Sequence, residues 1–122
     1  MRCRMTARLV GVFDWDLAGP STRLLELAHL AWHGVPLTGD VEPAAAARRL
    51  EVVATSYGGI TGRDVLDAVP TRVRIAIDGI RTAVANGDEQ MRNLLLVGEP
   101  ERTEVALADL LTRLSDIEEE LP

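Results

Sequence analysis

The stretch GVFDWDLAGPSTRLLELAHLAWHGVPL, from Gly11 to Leu37, decides how the rest of this chain is read. It opens on an apolar run that ends at two carboxylates, Asp14 and Asp16, with Trp15 between them. Ala7 to Phe13 reads as a short strand, rich in Val and Leu and apolar on both alternating faces, as a covered strand is. Asp16 to Ser21 reads as a loop, with Gly19-Pro20 as its turn signal. Thr22 to His33 then reads as a helix with Leu24, Leu27, Ala28 and Ala31 on one stripe, ended by Gly34 and Pro36. An acid at the mouth of a strand is costly to bury unless something pairs with it. Two hard oxygen ligands there suit Mg²⁺, which takes one or two carboxylates and fills its shell with water and phosphate. The plainer reading is a polar loop mouth in which Asp16 caps a turn.

Outward from that stretch the pattern is helical. Pro43 stands where a first helical position is expected, with Asp40 and Glu42 at the positive end of the dipole, and the helix runs to Tyr57 before Gly58-Gly59. Thr61 and Asp64 have capping-box spacing for a short helix to Val69. Pro70 is expected to break a continuous helix and start a new one. Val73, Ala76, Ile77, Ile80 and Val84 stripe that second helix until Asn86-Gly87 closes it. Asp88 to Val97 is a further short helix. The last starts near Pro100, with Leu107, Leu110, Leu111, Leu114, Ile117 and Leu121 as its apolar face. The acids Glu118 to Glu120 lie where the dipole disfavours them and are expected to fray as a solvated end. The predicted core is Leu24, Leu27, Val73, Ile77, Ile80, Leu107, Leu110 and Leu114. The expected fold is mainly α, a helical cluster with one short N-terminal strand.

Composition narrows the function. The 122 residues favour one domain, and 47% hydrophobic content is that of a globular chain. The net charge of −6, from 13 basic and 19 acidic residues, argues against nucleic acid and against anionic membrane surfaces as partners. No apolar stretch is long enough for a membrane span, and the N-terminus lacks a signal-type apolar core. The one cysteine, Cys3, permits no intramolecular disulfide, which fits a cytoplasmic protein.

The longer string is more specific than the acid pair. GVFDWDLAGPSTRLLELAHLAWHGVPL resembles the segment that follows the catalytic loop in the aminoglycoside phosphotransferase family. There the pattern is a strand, Asp-aromatic-acid, a Gly-containing loop and a helix leading to Val-Pro-Leu. Here Ser21 stands for the usual Gly and Glu26 for the usual Asp. The helices from Pro43 onward look like the distal C-terminal lobe, with Gly87-Asp88 and Gly98-Glu99-Pro100-Glu101-Arg102 as the matching strings. The resemblance implies a kinase-like fold and transfer of the ATP γ-phosphoryl group to a hydroxyl of a small molecule. It also implies Asp14 as the Mg²⁺ ligand, with Asp16 as the second acid nearby.

The family's His-Gly-Asp-x-x-x-x-Asn loop precedes this strand, yet none of the thirteen residues before Asp14 is His, Asp or Asn, and the chain has no Lys. Phosphoryl transfer depends on positioning and charge neutralisation by those parts. The expectation is therefore that residues 1–122 form a partial phosphotransferase domain, from a truncated gene or a misplaced start. The N-terminal lobe and catalytic loop are absent and no catalytic residue is assigned. Such a chain is inactive alone and holds Mg²⁺ only weakly. The alternative is a non-catalytic helical interaction module or a homo-oligomer, with the unpaired edge of the Ala7–Phe13 strand as the sticky surface.

Other residues have blander readings. Trp15 and Trp32 are expected as structural aromatics. His29 and His33, four apart with Glu26 on the same helix face, have a spacing that can hold zinc. No further His completes a closed site, so they are read as helix-surface or interfacial residues. Cys3 is read as an incidental thiol.

Overall fold

The computed structural model describes residues 22–122. The strand expected over Ala7–Phe13, the acids Asp14 and Asp16, Trp15 and Cys3 lie outside the described residues. The fold is mainly α: the described residues form α1 (Arg23–Gly34), α2 (Pro43–Tyr57), α3 (Gly62–Ala85), α4 (Glu89–Leu95) and α5 (Glu101–Glu119), with no strand among them. Among the described residues no helix is long and apolar enough to cross a membrane.

The caps fall where their side chains predict. The Thr22 hydroxyl accepts from the Leu25 N–H at 3.1 Å and starts α1. Thr61 and Asp64 form the reciprocal box, with Thr61 Oγ1 accepting from Asp64 N and Asp64 Oδ2 accepting from Thr61 N. Asp88 caps α4 through Met91 N. Each such cap is worth about 1 kcal/mol, because it satisfies a donor the helix leaves open. Pro43 occupies the first position of α2, where its missing N–H costs nothing. The proline before α5 has no side-chain acceptor, and Glu99 supplies one, accepting from Thr103 N and Thr103 Oγ1.

The central element is α3, and it corrects the sequence reading. Rather than a short helix to Val69 followed by a new one at Pro70, a single 24-residue helix runs through Pro70. A proline in a helix interior removes one hydrogen bond and costs about 3 kcal/mol. Against that, Val65, Leu66, Val69, Val73 and Ile77 stay on one buried stripe only if the helix does not break. Each fully buried aliphatic side chain is worth roughly 1.5–3 kcal/mol, so the stripe outweighs the proline.

The other helices pack around α3. α1 lies mainly along it and turns in the small residues Ala28 and Ala31, which let two helix backbones approach closely. α2 contributes Ala46, Ala47, Leu50 and Ala54, and α5 contributes Leu107, Leu110 and Ile117. Of the predicted core, Leu27, Val73, Ile77, Ile80, Leu107 and Leu110 are buried, while Leu24 and Leu114 are partly buried against it. Leu111, placed on the apolar face of α5 by its sequence, is 41% exposed. It sits at the edge of a stripe whose centre runs through Leu107, Leu110, Leu114 and Ile117. The acidic end is solvated as expected, with Glu119 and Glu120 exposed, while α5 runs as far as Glu119, with Ile117 and Leu121 buried and the Arg63 guanidinium donating to the Glu118 carbonyl at 3.1 Å.

Candidate functional site

The acids that carry the sequence-derived metal reading, Asp14 and Asp16, lie outside the described residues. What the structure does place is the helix into which their loop leads. On α1, Thr22 caps the first turn, Glu26 stands in that turn and His33 in the last. The core stripe of α1 points at α3, so the residues between stripe positions face outward. His29 and His33 are one turn apart on that outer side. Their ring centres are 4.5 Å apart and the rings meet edge-on at 70°. Among the described residues neither imidazole makes a hydrogen bond or an ion pair.

Partial burial holds the His29 pKa below its ordinary value, because desolvation disfavours the charged ring. The Arg72 guanidinium of α3 and the His33 ring push the same way, and the Glu26 carboxylate opposes them. The neutral form, with a free nitrogen lone pair, is thus favoured near neutral pH. Among the described residues no three His, Cys, Asp or Glu side chains converge as a metal cage, so the zinc spacing noted on α1 yields two ligands and not three.

Beyond His33 the chain leaves α1 along an open recess of about 250 Å³, lined by Trp32, His33, Val35, Pro36, Leu37 and Thr38 among others. Val35 and Leu37 anchor this segment by burying their side chains in the core. Ligand sites for drug-sized molecules run from roughly 300 Å³ upward and enclose most of the ligand. This recess is smaller and open, so it is an approach to α1 rather than a substrate pocket. Trp32 is partly buried against the core, in keeping with a structural aromatic.

The far wall of this loop is fixed from a distance. Asp109 of α5 accepts from Gly39 N at 3.0 Å. One turn on, the Arg113 guanidinium donates to the Gly39 carbonyl at 2.9 Å and to the Val41 carbonyl. Gly39 itself has φ +78°, which a side chain would strain. Sequence reasoning missed this clamp. Asp109 and Arg113 share a helix face by their spacing, but nothing local says that their partner lies some seventy residues earlier.

A second surface was also missed. Leu95, Leu96 and Val97 are consecutive and 44%, 84% and 57% exposed. Single exposed apolar residues are ordinary, and a run of three is not.

Comparisons of the chain with protein-family models, with curated proteins and with solved structures found no match. The class the described residues define is a mainly α helical cluster built around one long helix.

Proposed function

We propose that the chain is the C-terminal part of an ATP-dependent small-molecule phosphotransferase of the aminoglycoside type, inactive by itself and working in the cytoplasm. The observation that carries this reading is the string GVFDWDLAGPSTRLLELAHLAWHGVPL. It joins an acid pair suited to Mg²⁺ to a capped helix and a Val-Pro-Leu exit. The chemistry of the donor set fits, since two carboxylates are hard oxygen ligands. Asp14 would hold the ion and Asp16 would support it, and the ion when bound neutralises phosphate charge. The acceptor would be a hydroxyl on a small molecule.

The experiment is to read the DNA immediately before the first codon and to assay the purified chain. An in-frame His-Gly-Asp-x-x-x-x-Asn segment upstream, together with no ATP turnover by the chain alone, is the expected result. Sustained phosphotransfer to an aminoglycoside by this chain, abolished by Asp14→Ala, would overturn the inactive part of the proposal. Calorimetry should give millimolar Mg²⁺ affinity at best. Micromolar binding that needs both Asp14 and Asp16 would mean a complete site.

A second reading, a non-catalytic helical module that self-associates, is favoured by the exposed run Leu95–Leu96–Val97. A second copy of the chain would cover apolar surface that water meets here. Sedimentation at tens of micromolar, about the range where exposed surface drives association, tests it. A clean monomer removes this reading.

A further inference from the structure

We infer that His29 and His33 form a two-nitrogen chelate on α1 for a divalent transition-metal ion of tetragonal preference, Ni²⁺ or Cu²⁺, with water in the remaining positions. The site does not involve Asp14 or Asp16 and does not rest on the phosphotransferase reading.

Geometry comes first. Imidazoles bound at about 2.1 Å place each ring centre about 3.2 Å from the ion, so the centres lie about 4.5 Å apart at a right angle and about 5.2 Å apart at a tetrahedral one. The observed separation is 4.5 Å. It matches the right angle of tetragonal Cu²⁺ or Ni²⁺ better than the tetrahedral angle of Zn²⁺. The positions i and i+4 of a helix bring the two rings together without any help from the loops. α1 is itself held rigid by its Thr22 cap and by Ala28 and Ala31 buried in the core. The helix that sets the ring spacing is therefore ordered before an ion arrives.

Availability comes second. Among the described residues neither ring is engaged by a hydrogen bond or an ion pair, so lone pairs are free for coordination. His33 is exposed beside the open recess that ends α1, which gives an ion and its waters a path. Imidazole is the ligand these borderline ions prefer, and the affinity order places Ni²⁺ and Cu²⁺ above the earlier divalent ions. Charge near the site is mixed. Glu26 favours a cation, whereas Arg72 of α3 opposes one, so Arg72 sets the strength of the site rather than its location.

The test is a calorimetric titration of the full chain with NiCl₂ near neutral pH, with Cys3→Ser in every sample to remove the thiol. The expected result is binding weakened at least about tenfold by His33→Ala and by the near-isosteric His29→Gln, the low end of what even outer-shell losses cost a metal site. Arg72→Ala should tighten it. His33 is exposed, so His33→Ala should leave the helical circular dichroism unchanged. Since the chelate exists only while α1 is helical, Ni²⁺ should raise the melting temperature of the parent and not of His33→Ala. If His33→Ala and His29→Gln both keep the parent's Ni²⁺ affinity and its thermal shift, the inference is wrong.

Discussion

The two halves of α3 live in different surroundings. From Gly62 to Ile77 the helix is enclosed by α1, α2 and α5, and Val65, Leu66 and Val69 have no exposed surface. Beyond Ile77 it is covered on one side only. Ile80 is buried, Val84 is half-buried, and the helix ends in solvent at the exposed Ala85. There α4 adds Met91, and the bidentate pair between Arg81 and Glu104, with bonds of 2.5 and 3.0 Å, links α3 to α5 in the open. The enclosed half carries the costlier helix fault, Pro70, and the open half the milder one, Gly79. The larger local cost thus falls where the packing is densest.

That contrast can be broken most forcefully in the enclosed half. Leu66→Ala should cost about 2–5 kcal/mol in urea unfolding, because the cavity is walled by three helices and cannot collapse. If it costs no more than a surface substitution, the enclosed half is not the keystone. Gly62→Val should come next, at roughly 1–3 kcal/mol. A β-carbon at Gly62 would come within 2.5 Å of Glu51 Oε1 and 3.1 Å of Leu121 Cδ2. The same Glu51 oxygen accepts from Gly62 N, so the variant also displaces that bond.

Arg113→Ala sharpens the comparison by testing order held across a long sequence separation. The Gly39 and Val41 carbonyls would lose a charged donor, with an expected cost of about 1–3 kcal/mol. Faster amide exchange confined to the loop from Thr38 to Val41 would show where the loss falls. On the open half the effects should be small. Leu96→Ser should change stability by no more than about 0.5 kcal/mol while lowering any self-association, since Leu96 is 84% exposed. Val12→Lys provides the parallel test for the apolar run before the acid pair. If only one of the two variants changes sedimentation, it identifies the surface that associates.

The smallest effect concerns protons. His29 should titrate below 6.5 in an NMR titration, and Arg72→Ala should move its midpoint back up. The sign follows from proton uptake. The unfolded ring gains a proton as pH falls through 6.5 while the folded ring does not, so the contribution of His29 to stability is intact above that pH. It is lost progressively as pH falls toward the depressed folded value. Glu104 loses its contribution in the same direction at lower pH, because its pairing with Arg81 holds its carboxyl below the ordinary 4.5. A His29 midpoint at or above 6.5 would mean that the ring is fully solvated and that α1 sits differently on α3.

Sequence alone determined the parts whose causes are local. Thr22, Thr61 with Asp64, and Asp88 announce helix starts because a side-chain oxygen reaches a free N–H two or three residues on. Pro43 marks a first turn and Gly58 a stop for equally local reasons. The 3.6-residue stripes identified most of the core, since a helix can bury only one face. The metal reading of Asp14 and Asp16 is also local, resting on donor chemistry and on a string of neighbours.

Tertiary structure decided the rest. The continuity of α3 through Pro70 depends on how much apolar surface α1, α2 and α5 bury against both sides of the proline, a sum that no window around residue 70 contains. Leu111 lies outside the core because α5 buries the stripe through Leu107, Leu110 and Ile117 and leaves Leu111 at its edge, not because of its own character. Arg113 finds Gly39 and Val41, and Arg72 finds His29, only because the helices bring distant residues together. Free energy that arises from contacts between distant segments has no signature in either segment alone.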